Sequence, residues 1–354
     1  MKGNNKFISK ILFKLLLLRG GCSDYTMMKA IQKDKTEVVK LFLQDKSVAP
    51  SAYVIGKALE KGNVEILKLL LQDKRVDPSA EDNYAIRWAS ANGLAEVVKL
   101  LLKDVRVDPS SVDNCAIKWA SENGHAELVK LLLTDKRVDP SAEDNYAIRC
   151  ASARGHVEVV NLLLKDERVD PSADNNYAIK EASYWGYVEI VKLLLKDKRV
   201  DPSAEDNYAI RVASKEGHAE VVKLLLSDKR VDPSAVYNSA IICSSRFGYT
   251  EVVKLLLEDG RVDPSAEDNS AIRCSSRFGH AEVVKLLLQD KRVNPSADYN
   301  DAIREAAKYG HAEVVNLLLS DERVDVDKAI ELILYCPHRE VKKIISKYRK
   351  SESN

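Results

Sequence analysis

Between Val76 and Arg323 the chain repeats one 31-residue phrase eight times, close to V-D-P-S-A-E-D-N-Y-A-I-R-x-A-S-x-x-G-H-A-E-V-V-K-L-L-L-x-D-K-R. A unit this short holds two helices at most and cannot bury its own apolar face, so it becomes stable only by stacking on neighbours like itself. Length alone would allow 354 residues to form two ordinary globular domains. The repeat sets that reading aside and predicts an all-α solenoid, an elongated right-handed stack of about eleven helix-turn-helix units.

Within the unit Val76–Arg106, Asp77-Pro78-Ser79-Ala80 has the residue order of a type I turn, with proline presetting the backbone and the aspartate placed to accept a backbone hydrogen bond. An asparagine follows in all eight copies (83, 114, 145, 176, 207, 238, 269, 300). Standing just before a helical run, it is expected to act as the N-cap of a first helix from about Tyr84 to Asn92, which stops at Gly93. A second helix starts near Ala95 and carries Val97, Val98, Leu100, Leu101 and Leu102, an apolar surface wide enough to be buried on both sides. Ile86 and Ala89 face it, and small residues at 89 and 90 allow close approach. Glu96 early and Lys99 late suit the helix dipole.

The phrase A-I-R-x-A-S-x-x-G-H-x-E-V-V-K-L-L-L resembles the T-P-L-H-x-A-A-x-x-G-H-x-E-V-V-K-L-L-L of ankyrin repeats. The likeness recurs in register over nearly the whole chain, with Lys or Asn of the second-helix motif at 14, 40, 68, 99, 130, 161, 192, 223, 254, 285, 316 and 343. Three departures stand out. The unit is two positions shorter than the family's usual one, so the inter-repeat hairpins should be shortened; Thr-Pro is replaced by Tyr-Ala in most copies; the glycine after the second helix survives only as Gly260. The wording V-D-P-S-A-E-D-N-Y-A-I-R also resembles ankyrin proteins of large amoeba-infecting DNA viruses. The resemblance implies a non-enzymatic binding scaffold whose partner meets the first helices on the concave side.

Rhythm and charge divide the chain into an N-terminal cap helix with a degenerate repeat (1–47), a shortened repeat (48–75), the eight regular repeats (76–323) and a C-terminal capping repeat (324–354), all expected to form one continuous solenoid. Residues 1–75 carry 15 basic and 7 acidic side chains, residues 76–323 carry 33 and 42, and residues 324–354 carry 7 and 5. An acidic array argues against a phosphate-binding groove along the repeats. Phe7–Leu18 is apolar but interrupted by Lys10 and Lys14 and well short of the roughly 20 apolar residues of a membrane span. It reads as a capping helix, with a targeting or membrane-surface helix as the alternative. The six cysteines stand singly, Cys150, Cys243 and Cys274 in one slot of different repeats. They point to reduced thiols in an intracellular, cytoplasmic, monomeric protein, in the host cytoplasm if it is viral.

Copies within one chain can be compared with one another. Variation concentrates at the slots of Trp88, Ala91 and Asn92, three or four apart and so on one helix face. Down the array these slots hold Trp88, Ala91, Asn92; Trp119, Glu122, Asn123; Cys150, Ala153, Arg154; Glu181, Tyr184, Trp185; Val212, Lys215, Glu216; Cys243, Arg246, Phe247; Cys274, Arg277, Phe278; and Glu305, Lys308, Tyr309. Only 22 of the 354 residues are aromatic, yet seven of these 24 slots are, the composition of interface hot spots. Trp88, Trp119, Arg154, Tyr184, Trp185, Arg246, Phe247, Arg277, Phe278, Lys308 and Tyr309 are accordingly the expected partner-binding residues. The resemblance implies the same, because the family's partner contacts use the two residues before G-H.

Enzymatic chemistry finds no foothold. His125, His156, His218, His280 and His311 occupy one slot of different repeats, and helix pairs stacked about 8–10 Å apart cannot bring two such rings onto one zinc. No unique nucleophile has its own base, no glycine loop cradles phosphate, and no cofactor or metal is expected. An unidentified protein is the expected partner. The alternatives are a structural component of a larger assembly such as a virus particle, or a nucleic-acid or membrane-surface binder acting through the basic N-terminus.

Overall fold

The computed structural model describes residues 23–46, 50–51 and 53–351. The expected cap helix at Phe7–Leu18 lies outside them. Every regular element among the described residues is a helix, and the helices come in eleven pairs. The fold is the all-α solenoid of stacked helix pairs, and it divides between Asp170 and Pro171 into two units. The first unit holds Ser23–Gln32 with Thr36–Gln44, Tyr53–Glu60 with Val64–Gln72, Ala80–Ala91 with Ala95–Leu101, Ser111–Glu122 with Ala126–Leu133, and Ala142–Ala153 with Val157–Leu163. The second holds Ala173–Tyr184 with Val188–Leu195, Ala204–Glu216 with Ala219–Leu226, Ala235–Phe247 with Thr250–Glu258, Ala266–Arg277 with Ala281–Gln289, Ala297–Lys308 with Ala312–Leu319, and Val326–Ile333 with Arg339–Ser351. Inside each unit, first helices pack on first helices and second helices on second helices.

The core repeats with the sequence. Ile86, Ala89, Val97, Val98, Leu101 and Val107 are all buried, and their aliphatic counterparts in later copies are equally so. Burial of each aliphatic side chain contributes about 1.5–3 kcal/mol, a gain realised only against the adjacent pair.

One expectation needs correction. The first helix does turn right-handed at Tyr84, but Asn83 is not its N-cap. Glu81, Asp82 and Asn83 have φ of 54°, 52° and 60°, a left-handed turn of three residues, and the same turn stands at the head of all eight regular repeats. The Asn83 side-chain oxygen, instead of capping its own helix, accepts the amide of Asp108 in the following repeat at 2.7 Å. Six further copies make this bond at 2.6–2.8 Å, from Asn114 to Asp139 through Asn269 to Asn294. The last asparagine, Asn300, faces the divergent terminal pair, and its oxygen has no hydrogen-bond partner. Asparagine tolerates left-handed geometry better than most residues, which fits it to this corner. In three copies the arginine four residues on closes the turn: Arg87 donates to the carbonyls of Asp82 at 2.9 Å and Glu81 at 3.0 Å, and Arg149 and Arg211 do likewise.

Two more bonds recur from repeat to repeat. The Asp77 carboxylate accepts from the Ser79 amide at 2.9 Å and hydroxyl at 2.6 Å, as the turn sequence predicts. After nine consecutive second helices, from Val64–Gln72 to Ala312–Leu319, an arginine clasps the aspartate two residues before it, and in most copies it also reaches back to the valine carbonyl that opens its own 31-residue unit. Arg106 thus holds Asp104 and donates to Val76 at 2.9 Å, and Arg137, Arg168, Arg230, Arg261, Arg292 and Arg323 repeat the pattern. The guanidinium holds the partner carboxyl of Asp104 below the usual carboxylate range, and the same holds for Asp73, Asp135, Asp166, Asp197, Asp228, Asp259, Asp290 and Asp321.

Candidate interaction face

The first helices of the regular repeats end in a left-handed glycine, and the next repeat commonly sets a ring against it. A Cβ on Gly124 would come within 2.6 Å of the His156 ring, and one on Gly186 within 2.6 Å of His218. The ring does more than fill space. His125 Nε2 donates to the Ala91 carbonyl at 3.1 Å, His156 to Glu122 at 2.9 Å, His218 to Tyr184 at 2.9 Å, His280 to Arg246 at 3.0 Å, His311 to Arg277 at 3.0 Å and His338 to Lys308 at 2.9 Å. Every one of these carbonyls belongs to the variable slot two residues before glycine. Where the slot holds histidine, the ring therefore fixes the backbone from which the variable side chains project.

In the first unit, Trp88 is half-buried, Trp119 is exposed and Arg154 is exposed. The Arg154 guanidinium pairs with Glu122, whose other oxygen accepts the Tyr146 hydroxyl at 3.0 Å. A hydrogen bond with Cys150, partial burial and Glu122 together push the Tyr146 phenol above its ordinary range. Asn123 donates to the Ala91 carbonyl at 3.1 Å.

The second unit gathers the rest. Tyr184 is half-buried and meets exposed Trp185 edge to face, ring centres 4.9 Å apart, while Trp185 Nε1 donates to Glu181 at 3.2 Å. Further along, cations and rings interleave across three repeats. The Arg246 guanidinium lies 5.9 Å from the Phe247 ring and 5.5 Å from Phe278 of the next repeat; Arg277 lies 5.9 Å from Phe278 and 5.6 Å from Tyr309; Lys308 lies 5.3 Å from Tyr309. Phe278 and Tyr309 also stack on His280 and His311. Trp185, Phe247, Phe278 and Tyr309 are 44–53% exposed although each touches a neighbour. Each such cation–π contact contributes about 0.5–1 kcal/mol at an exposed site, enough to hold side-chain geometry without burying the surface.

Carboxylates bracket this ladder unevenly. Glu305 pairs with both Arg277 and Lys308, and Lys215 pairs with Glu216. Among the described residues, no carboxylate lies within ion-pair distance of Arg246. The expected residue set omitted Glu122, Glu305 and Lys215. A signal for Lys215 was present in the sequence, since Lys215, Arg246, Arg277 and Lys308 fill one slot of four consecutive repeats.

Burial raises the thiols of Cys115, Cys150 and Cys243, which makes them poor nucleophiles, and all described cysteines are free. Among the described residues, no group of three His, Cys, Asp or Glu is placed to hold a metal ion, and no helix is long and apolar enough to cross a membrane. A family model described as "Ankyrin repeats (3 copies)" matches residues 27–113, 55–144, 117–206 and 241–330, and one described as "Ankyrin repeat" matches residues 205–238. No curated protein matches the chain.

Proposed function

Because the chain belongs to the ankyrin-repeat family, whose repeats are generally protein-interaction modules, we propose that it is a non-enzymatic scaffold that grips a protein partner on the variable face of its first helices. One observation carries the reading: the slots that vary among the copies present exposed rings and cations, among them Trp185, Arg246, Phe247, Arg277, Phe278, Lys308 and Tyr309. Aromatic and Arg residues held in place on a rigid support are what interface hot spots require. Trp185, Arg246, Phe247, Arg277, Phe278, Lys308 and Tyr309, with Tyr184 beside them, form the main contact surface on the second unit in this reading, and Trp88, Trp119 and Arg154 are contact residues of the first unit.

The free and largely unreactive thiols suit a reducing compartment, so the protein acts as a monomer in cytoplasm, and in a host's cytoplasm given the virus-like wording of its repeats. The test is affinity capture from the native cell with the wild-type chain and a Trp185→Ala/Phe247→Ala double variant. Both side chains are about half exposed, so the variant should lose the captured protein while its melting temperature falls by no more than about 2–4 °C. A large loss of stability with capture intact would show that these rings pack and do not recognise.

A further inference from the structure

The cation ladder of the second unit has a spacing that selects among partners. Arg246 and Arg277 stand 5.5 and 5.9 Å from the centre of the same Phe278 ring, so the separation of their charges cannot exceed the sum of those two distances. Arg277 and Lys308 stand 5.6 and 5.3 Å from Tyr309, which sets nearly the same limit. The rise from one helix pair to the next, about 8–10 Å, lies inside both limits and is the natural period of these charges.

An extended partner can match that period in few ways. A β-strand rises about 3.3 Å per residue, so three residues fit the spacing, but every third residue then points to the opposite face. A polyproline II segment advances about 3.1 Å per residue with three residues per turn, so every third side chain returns to one face after about 9 Å. The geometry points to an acidic polyproline II segment, with a carboxylate at every third residue, as the occupant of the Arg246–Arg277–Lys308 ladder, an inference that rests on the scaffold reading above and names its partner's chemistry. Arg246, with no carboxylate of its own, takes the first acid. Arg277 and Lys308 can exchange part of their hold on Glu305 for the next ones. Proline rings of the segment lie against the half-exposed edges of Phe247, Phe278 and Tyr309, the way aromatic-lined grooves read such helices.

A single-stranded nucleic acid would also favour rings and arginines, but the observations weigh against it. The ring faces of Phe278 and Tyr309 already carry guanidinium and imidazole groups and leave no platform for a base. The same repeats also expose Glu267, Asp268 and Asp298 at the heads of their first helices.

Fluorescence anisotropy of two labelled dodecapeptides against the full chain decides the matter. One is (Glu-Pro-Pro) repeated four times; the other has the same composition with its four glutamates in a block. The period-three peptide should bind at least tenfold more tightly, and Arg246→Glu or Arg277→Glu should each weaken it at least tenfold, with Arg246→Gln intermediate. Both arginines are exposed, so folding should survive, and circular dichroism checks it. If a variant does not fold, the comparison of the two peptides on the wild-type chain still decides. Equal binding of the two peptides, binding that persists after charge reversal, or tighter binding of a twelve-residue oligothymidylate would each overturn the assignment. Partner capture that depends on Trp185 and Phe247 while neither peptide binds would keep the face and discard the acidic segment.

Discussion

Asparagine at the head of each repeat shows how one side chain serves two neighbours. Its left-handed backbone ends the loop, and its amide oxygen receives an N–H that belongs to the next repeat. Asn83→Ala should therefore cost about 1–3 kcal/mol in urea unfolding, whereas Asn83→Asp, which keeps an acceptor and tolerates the same backbone, should cost less than half as much. A cost confined to the loss of a helix cap would make no such distinction at Asp108, whose amide exchange should quicken only in the alanine variant. The sequence marked this residue as special because it never varies and stands before a helix. Its role was illegible because the partner, Asp108, belongs to the following repeat, and propensity rules see only the adjacent turn. The left-handed Glu81-Asp82-Asn83 stretch was hidden for a related reason: acidic residues ahead of a helix also describe an ordinary first turn.

At the scale of the helix pair, glycine and histidine act as a joint. Gly62 and Gly186 share positive φ, 64° and 75°, but nothing lies within 4 Å of a Cβ on Gly62 and the His218 ring lies at 2.6 Å from one on Gly186. Gly62→Ala should cost about 1 kcal/mol, the backbone term alone, and Gly186→Ala about 2–4 kcal/mol, with the excess reporting the displaced ring. Equal losses on calorimetry would remove the ring from the account. The variable face was legible to a similar depth. Helical spacing placed Trp88, Ala91 and Asn92 on one side, and the excess of rings and arginines was countable. That Arg246 inserts between Phe247 and Phe278, rings of successive repeats, becomes visible only when consecutive helices lie side by side.

Across the molecule, nine Asp–Arg clasps give acid a common target. Each carboxyl is held below its ordinary range by its arginine, so the folded chain binds protons there more weakly than the unfolded one. Their stabilisation is fully present above the ordinary aspartate value of about 4 and is lost as pH falls through the lower folded values. Melting temperature should stay level from pH 7 to 5 and drop steeply below about pH 4, and high salt should blunt the drop, since the arginines are partly exposed. A decline already complete above pH 5 would remove the clasps from the account. The same clasps and asparagine bonds recur with equivalent partners in successive repeats, and a histidine wedge joins them in most. Nothing in this chemistry tells a repeat which neighbour is its own; the short connecting loop alone supplies the address. Two chains that open at any junction can therefore close on each other as well as on themselves, so refolding at high concentration should yield exchanged dimers whose joints are indistinguishable from native ones.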